Sequence, residues 1–112
     1  MATFVKGDVV VVPFPFSDLT QAKRRPALVL ATLRGDDLIL CQITSQQVRD
    51  IYALPVDDSD FETGSLKHKG NIRPNRIFTA HRGIILYKVG QLKQEKTKSV
   101  TKKIVEILEK NK

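Results

Sequence analysis

The stretch "DVVVVPFPFSDLTQAKRRPALVLATLRGDDLILCQITS", residues 8–45, decides the fold because it alternates short apolar runs with polar turns. The apolar runs cover 8–16, 26–33 and 38–45, and they are rich in the β-branched and aliphatic residues typical of strands. Only "RGDD" at 34–37 separates the second run from the third, and its glycine supplies the positive φ of a tight turn. Three consecutive short strands with turn connections predict an antiparallel meander or a small barrel.

The rest of the chain up to residue 92 extends this β-rich pattern. Polar residues 17–25 predict a long loop between the first two strands, and 46–50 predicts either a loop or one helical turn. A fourth strand is predicted at 51–56, and a loop follows at 57–71, in which "FETGSL" resembles a bulged strand or turn. A fifth strand is predicted around "RIFTA" within 72–82. The last predicted strand is short, lies within 83–92 and is followed by a turn at Gly90.

The C-terminal residues 93–110 predict an amphipathic helix. Val100, Ile104, Ile107 and Leu108 have the i, i+4, i+7, i+8 spacing of one helical face, and most of the lysines lie off that face. We expect this face to pack against the barrel; binding of a membrane or a partner by the helix is the alternative.

Length and composition indicate one globular domain over 1–112. Of the 112 residues 41% are hydrophobic and 28% are charged, which suits a domain with its own core. Cys41 is the only cysteine, so no intramolecular disulfide can form, as is usual in a reducing compartment. No apolar run reaches the roughly 18 residues of a membrane span, and the N-terminus lacks the apolar core of a signal peptide. We therefore expect a cytoplasmic protein without membrane association.

The net charge of +7 is unevenly placed along the chain. Residues 1–62 hold six Lys/Arg against nine Asp/Glu, whereas residues 63–103 hold eleven Lys/Arg against one acid, Glu95. A basic half of this kind indicates a polyanionic partner, either nucleic acid or an acidic protein segment. A lysine-rich surface that serves only solubility is the alternative.

Several kinds of active site have no counterpart in the sequence. The two histidines, His68 and His81, and Cys41 do not have the spacing of metal ligands, and "DDSD" lacks the glycine and glutamate of a calcium loop. The glycine-rich phosphate loops and the G-x-S-x-G nucleophile motif are missing as well. We expect no metal and no cofactor, which leaves hydroxyls and arginines as candidates for chemistry.

Arg25 is the most interesting of these arginines. Pro26 biases its backbone toward an extended conformation, and its planar fork suits bidentate contact with a phosphate. If the second and third strands pair about "RGDD", residues 25–27 lie near 43–45, which brings Arg25 close to Thr44 and Ser45. A guanidinium beside a hydroxyl suits the stabilisation of charge on a phosphoryl group. A solvated turn before a strand is the alternative reading of the same cations.

These residues resemble the MazF/PemK toxins of type II toxin–antitoxin systems. Members open with a G-D-[IV]-x-x-V-x-F strand and continue, after a variable loop, with an R-P-x-[LV]-[VI] strand and a T-[ST] or T-x-Q pair. The corresponding residues here are Gly7, Asp8, Val9, Val12 and Phe14, then Arg25, Pro26, Ala27, Leu28 and Val29, then Thr44, Ser45 and Gln46. The tail "GQLKQEKTKSVTKKIVEIL" is similar to the closing helix of the family.

The resemblance implies a small SH3-like antiparallel barrel that is mainly β with a C-terminal helix, of the CcdB/MazF/PemK toxin type. It also implies a homodimer that cleaves single-stranded RNA without a metal, by attack of the 2′-OH to leave a 2′,3′-cyclic phosphate. Arg25 and Thr44 match the catalytic positions. The residues expected to contact RNA are Lys23, Arg24, Ser45, Gln46, Lys67, Lys69, Arg73, Asn75 and Arg76. Phe14, Phe16 or Phe78 could stack on a base, and a position in the core is the favoured alternative for each.

The resemblance further implies a cognate antitoxin, whose acidic, disordered tail would suit the basic half of the chain. Two departures from the family are visible: residues 17–24 lack the Gly-Ser-Glu-Gln pattern of many members, and Asn75 stands in place of a glutamine. The competing hypothesis is a non-enzymatic barrel, either a CcdB-like protein that binds gyrase or a module that binds RNA without cleaving it.

Overall fold

Seven strands and one helix make up the fold of residues 3–14, 23–45 and 49–110, the parts of the chain that a computed structural model describes. The strands are β1 (Asp8–Phe14), β2 (Lys23–Thr32), β3 (Asp37–Thr44), β4 (Leu54–Val56), β5 (Phe61–Gly64), β6 (Gly70–His81) and β7 (Tyr87–Leu92). Short 3₁₀ turns occupy Asp58–Asp60 and Arg82–Ile84, and the helix α1 (Gln94–Lys110) follows β7.

All seven strands belong to one sheet in the order β4-β6-β3-β2-β1-β7-β5, and every pairing is antiparallel. The sheet curls into a half-barrel. The predicted fold class, a small antiparallel barrel with a C-terminal helix, is therefore confirmed. The β1–β2–β3 meander lies at its centre, as the apolar runs of the sequence indicate.

The start of β2 differs from the prediction, because the strand begins at Lys23 and not at residue 26. Arg25 lies opposite Val12 and Pro26 lies opposite Val11 in the β1–β2 ladder. Proline has no N–H to donate and usually disrupts a central strand. The carbonyl of Val11, the partner of Pro26 in β1, accepts from Leu86 and so faces β7. The nitrogen of Pro26 therefore faces the β3 side, where pairing begins only at Ala27, and no ladder bond is lost. The cationic residues 23–25 are thus held by a strand and do not form the end of a loop.

Alternation of side chains along the strands produces two apolar faces. The face toward α1, called here the helix-side face, carries the cluster Val9, Leu28, Cys41, Ile43, Val56, Phe61, Ile72, Leu92 and Val100. The opposite face, called here the far face, carries the cluster Val10, Val12, Ala27, Val29, Leu38, Leu40 and Ala80. Each fully buried Val, Leu or Ile stabilises the fold by about 1.5–3 kcal/mol. The central strands are therefore apolar on both sides.

Helix α1 packs on the helix-side face through Val100, which is fully buried, and Ile104. The prediction that Leu108 shares this packing is wrong, because its side chain is 70% exposed. Leu108 is rotated by about 80° from Val100 around the helix axis, so it lies at the edge of the apolar stripe. Within the described ranges, no helix is both long and apolar enough to cross a membrane.

Two other elements correct the sequence analysis. The segment 57–71 is more regular than a loop, since it contains a 3₁₀ turn and β5, whose register shifts between Phe61 and Thr63 in the manner of a bulged strand. Gly90 does not form a turn but lies inside β7, opposite Gly64 of β5. A Cβ atom at Gly90 would lie 2.4 Å from the carbonyl oxygen of Thr63. Glycine at this position therefore allows β5 and β7 to approach closely.

Asp8, the acid of the "GD" pair, is fully buried at the start of β1. Its carboxylate accepts hydrogen bonds from the backbone N–H of Val5 at 2.9 Å and from the side-chain amide of Gln91 at 3.1 Å. Lys88 Nζ lies 3.1 Å away and forms an ion pair with it. The carboxylate thus links the N-terminal segment to β7 and fixes the entry of β1 into the sheet.

Candidate nucleic-acid site

Arg24 and Arg25 are neighbours in β2 but lie on opposite faces of the sheet. Arg25 is paired with Val12 and precedes Ala27 by two positions, which places its side chain on the far face. Arg24 is paired with Pro13 and shares the helix-side face with Pro26 and Leu28. The two guanidinium groups therefore lie on opposite faces of the sheet at the start of β2.

Thr44 lies at the end of β3 and is 4% exposed. The β2–β3 ladder ends at the pair Ala27–Gln42, and continuing its register places Arg25 opposite Thr44. Cys41 and Ile43 belong to the helix-side cluster, so alternation puts the Thr44 side chain on the far face with that of Arg25. An even count from the turn at Gly35 and Asp36 would pair Ala27 with Thr44, but the observed partner of Ala27 is Gln42, because the register shifts between Val29 and Ala31. The proximity of Arg25 and Thr44 stays a prediction.

A cavity of about 260 Å³ opens on the helix-side face beside Thr44. Its apolar wall consists of residues from four strands and one loop, namely Val11, Pro26, Ile43, Leu66 and Val89. Thr44 and Ser45 border the cavity at the end of β3. The cavity and the Arg25 side chain thus lie on opposite faces of the sheet at the same ends of β2 and β3, and Thr44 borders the cavity.

The polar lining of the cavity is cationic and hydroxylic. Arg24, Lys67 and His68 contribute nitrogen groups, and Ser65 and Tyr87 contribute hydroxyls in addition to Ser45. Among the described residues that line the cavity none is acidic. A surface with this lining attracts an anion and offers donors and acceptors to a polar ligand.

Two glycines fix the segment 65–69, which carries Lys67 and His68 over the cavity. At one end Gly64 has φ +72°, and a Cβ there would lie 2.1 Å from the carbonyl oxygen of Val89. At the other end a Cβ at Gly70 would lie 2.7 Å from the carbonyl oxygen of Thr44. Because both anchors are backbone contacts, the segment is held against β7 and against the end of β3.

Of the residues predicted to contact RNA, Arg24, Ser45 and Lys67 border this cavity together with Thr44. Lys23, Lys69 and Arg76 have exposed side chains elsewhere on the surface. Gln46 and Phe16 lie outside the described residues, as does the side chain of Phe14, while Phe78 packs against the far-face cluster. His68 and Tyr87 were not predicted as site residues, and only their assembly in the fold distinguishes them.

Arg73 and Asn75 form a separate polar group with Asp50. Arg73 donates from Nε and Nη2 to Asp50 Oδ2, at 3.3 and 3.1 Å, and its side chain is 19% exposed. The pKa of the Asp50 carboxyl lies below its usual value, chiefly because the backbone N–H of Tyr52 donates to it, with further contributions from Arg73 and Asn75. Arg73 therefore contacts an acid of its own chain in this structure.

Metal and thiol chemistry have little support in the described ranges. In residues 3–14, 23–45 and 49–110, no three His, Cys, Asp or Glu side chains are grouped so that they could hold a metal ion. Cys41 is fully buried, and burial raises the pKa of its thiol to about 12. A thiol in this state is not a nucleophile at neutral pH.

Comparisons with known proteins agree with the fold. An endoribonuclease in complex with its cognate antitoxin from a Mycobacterial species is 12% identical with a TM-score of 0.74, and the match covers 95% of this chain and 95% of that chain. The Deinococcus radiodurans MazE–MazF complex is 15% identical with a TM-score of 0.74, over 97% and 98% of the two chains. The Mycobacterium tuberculosis toxin MazF-mt6 is 15% identical with a TM-score of 0.70, over 90% and 95%.

No curated protein sequence matches the chain. A family model does match, over residues 5–108, and it describes the PemK-like, MazF-like toxins of type II toxin–antitoxin systems. The match includes both the Arg25–Thr44 pair and the cavity. The chain therefore belongs to the PemK-like, MazF-like toxin family of type II toxin–antitoxin systems.

Proposed function

We propose that this chain is a toxin that acts in the cytoplasm as an endoribonuclease and cleaves single-stranded RNA without a metal ion. The observation that supports the proposal is the β2–β3 ladder, which ends at Ala27 and Gln42 and whose register, if continued by two residues, brings Arg25 opposite Thr44. Family membership and the endoribonucleases among the structural neighbours give further support.

The proposed reaction is an internal transfer of the phosphoryl group. The RNA 2′-oxygen forms a bond to phosphorus, the bond from phosphorus to the 5′-oxygen breaks, and the products are a 2′,3′-cyclic phosphate and a 5′-hydroxyl. The proton of the 2′-OH passes to solvent, and the departing 5′-oxygen takes a proton from solvent. Arg25 stabilises the negative charge on the phosphorane with its guanidinium, which stays protonated and so cannot act as the base. Thr44 donates a hydrogen bond to a phosphoryl oxygen and holds the group in place.

The other cations bind the RNA backbone in this proposal. Lys23, Arg24, Lys67, Lys69 and Arg76 contact phosphates, Ser45 adds a polar contact next to the end of β3, and Gln46 adds another polar contact to the RNA. Affinity that depends on phosphate contacts falls steeply with salt concentration because counterions are released on binding. Arg73 and Asn75 join the RNA surface only if the strand reaches the Asp50 group.

The test compares two neighbouring arginines and a distant one. Purified protein is incubated with single-stranded RNA in EDTA, and the rates of the wild type, Arg25→Ala, Thr44→Val, Arg24→Ala and Arg34→Ala are measured. Loss of one charge-stabilising group at the reacting phosphate lowers kcat by about 10²–10³-fold, so we expect that effect for Arg25→Ala and a strong effect for Thr44→Val. Arg24→Ala weakens binding instead, and raises KM more than it lowers kcat.

Arg34, which is exposed at the opposite end of β2, provides the control, and Arg34→Ala should cleave like the wild type. Thermal melts identify any variant whose loss of activity comes from unfolding. Full activity of a folded Arg25→Ala protein would remove Arg25 from the mechanism. Intact RNA accompanied by gyrase-dependent DNA breaks would replace the nuclease with the CcdB-like alternative.

We also propose a homodimer and an antitoxin partner. An acidic, disordered segment of the antitoxin would be complementary to the basic residues 63–103, and the Mycobacterial and Deinococcus neighbours were solved with their antitoxins. The molar mass in solution, measured by light scattering, tests the dimer. Titration of the antitoxin at increasing salt tests the electrostatic interaction, and an affinity that is insensitive to salt would contradict it.

A further inference from the structure

Strand β6 has a wide bulge that carries Arg73 away from the regular ladder. The register between β6 and β3 shifts so that four residues, 73–76, lie opposite Gln42 alone. A bulge bends its strand and re-aims the side chains within it. Here the side chain of Arg73 contacts Asp50, which follows Thr44 of β3 by six residues. The bulge and the acid therefore meet beyond the end of β3 that carries Thr44.

The contact between Arg73 and Asp50 lacks the geometry of the strongest arginine–carboxylate pairs. Nε and Nη2 both donate to one oxygen, Oδ2, at 3.3 and 3.1 Å. In a strong pair two parallel N–H groups reach two oxygens at about 2.7–2.9 Å. A phosphate offers several oxygens at that spacing, and the planar guanidinium fork matches it. A phosphate is thus a better partner for Arg73 than the acid it contacts in this structure.

Asp50 does not depend on Arg73 for its charge. The backbone N–H of Tyr52 donates to Oδ1 at 2.9 Å and is the largest cause of the lowered pKa of this carboxyl. The side chain of Asn75 adds a further hydrogen bond. Breaking a buried ion pair usually costs stability because one charge loses its partners. Here the carboxylate keeps two hydrogen-bond donors when Arg73 leaves, so the arginine can be exchanged.

The register of β6 shows how a phosphate would come within reach of Arg73. Asn71 is the partner of Thr44 in the β3–β6 ladder, and Arg73 lies two residues further along β6. Two residues of a strand span about 6.6 Å. An RNA strand that has one phosphate at Thr44 therefore passes close to the Arg73 side chain, which is 19% exposed.

We infer that Asp50 is an internal competitor of RNA for Arg73. The inference rests on the proposed function for the identity of RNA as the substrate. Without RNA the carboxylate neutralises the guanidinium, and on binding Arg73 exchanges Asp50 for a phosphate of the strand. Because this exchange opposes binding, the protein binds RNA less tightly than the number of its cations indicates.

The experiment measures nucleic-acid binding separately from cleavage. One short single-stranded sequence is used in an all-ribose form for cleavage and in an all-deoxy form, which has the phosphates but no attacking 2′-OH, for binding. The variants are Asp50→Asn, Arg73→Ala and their combination. The control is Asp37→Asn, which removes the same charge from an exposed residue at the opposite end of β3.

Removal of the competing charge should strengthen binding. Exposed ion pairs correspond to factors of up to about 5, and hydrogen bonds to charged groups to about 10 or more. We therefore expect Asp50→Asn to bind the deoxy strand about 5- to 10-fold more tightly, and to lower KM for cleavage with kcat unchanged. Asp37→Asn should behave like the wild type.

The combined variant shows whether the gain passes through Arg73. In the Arg73→Ala background, Asp50→Asn should add no more than the control does. Arg73→Ala should also lower the slope of log affinity against log salt by about 0.7, the value for one phosphate contact with a single strand. Thermal melts identify unfolded variants, and Asp50→Ser, which removes the same charge, replaces Asp50→Asn where that variant unfolds.

The outcomes separate this inference from the proposed function. If Asp50→Asn binds no more tightly than the wild type, or gains as much without Arg73 as with it, the inference is wrong, and the nuclease stands as long as the wild type cleaves. If the wild type binds without cleaving while the two substitutions are coupled, the nuclease fails and the inference stands. If Asp50→Asn strengthens binding of the antitoxin alone, Arg73 serves a protein partner and the inference is wrong.

Discussion

Replacement of Gly70 by alanine tests whether the contact between β6 and the end of β3 supports the site. Gly70 has no positive φ, so the effect of the substitution comes from space alone. The new Cβ would lie 2.7 Å from the carbonyl oxygen of Thr44, whereas ordinary contacts begin at 3.4 Å. The two backbones must therefore separate by about 0.7 Å, and a backbone carbonyl cannot rotate away as a side chain can.

The expected cost can be estimated from two opposing contributions. Overpacking of a tight site costs about 1–3 kcal/mol, and the loss of chain freedom in the unfolded state returns about 0.4–1 kcal/mol. The free energy of unfolding should therefore fall by about 1–2 kcal/mol, which lowers Tm by about 5–15 °C in a domain of this size. Since we propose that Thr44 holds the phosphate, a shift of this kind should also lower kcat/KM for RNA cleavage by about 10- to 100-fold.

Gly83→Ala is the matched control. A Cβ at Gly83 meets the ring of His81 at 2.9 Å, but that side chain is 60% exposed and can rotate away. The free energy of unfolding should change by about 0.5 kcal/mol or less, with cleavage unaffected. Thermal or urea unfolding and initial cleavage rates measure both variants. A Gly70→Ala protein as stable as the wild type would refute the packing argument, and one that is less stable but fully active would refute the link between this contact and the site.

Two further predictions follow from the ionisable groups. The pKa of Asp50 is lowered in the folded state, so the ionised carboxylate stabilises the fold above its unfolded pKa of about 3.9, and this stabilisation is lost as pH falls. Thermal melts at pH 7 and pH 3 should therefore show a smaller decrease in Tm for Asp50→Asn than for the wild type. Equal decreases in Tm would contradict this. Burial raises the pKa of Cys41 from 9.0 to about 12, which lowers the fraction of thiolate at pH 8. Because the thiolate is the reactive form, a thiol reagent at pH 8 should modify the native protein about 1,000-fold more slowly than the unfolded chain. Rapid labelling of the native protein would contradict this.

The centre of the fold could be predicted from the sequence because its information is local. The apolar runs and the "RGDD" turn predict the β2–β3 hairpin, and counting from that turn places residues 25–27 near 43–45 without knowledge of the rest of the chain. The exact register could not be counted, because a shift between Val29 and Ala31 pairs Ala27 with Gln42. A proline inside β2 could not be predicted in the same way. Its tolerance depends on where β3 begins to pair, and this is a property of the assembled sheet.

The parts of the site that escaped prediction come from distant segments. His68 and Tyr87 reach the cavity because β5 pairs with β7 and β6 pairs with β3, and neither pairing has a marker in the sequence. Arg73 illustrates the opposite case, since its charge marked it as an RNA contact, but the fold brings Asp50 to within 3.1 Å of it. Charge counts report how many cations exist, while only the tertiary structure shows which of them have acidic neighbours.

The opposite orientations of Arg24 and Arg25 have a consequence for how this chain can vary. Their assignment to the two faces depends on the β1–β2 register, which is fixed by apolar residues such as Val12 and Ala27 and not by the length of the connection between the strands. Residues can be added to or removed from that connection without exchanging the two arginines. Deletion of Pro26, by contrast, would turn Arg24 toward the far face, where we propose that the reaction occurs, and Arg25 toward the cavity. The connection is therefore free to diverge, whereas the short segment around Pro26 is not.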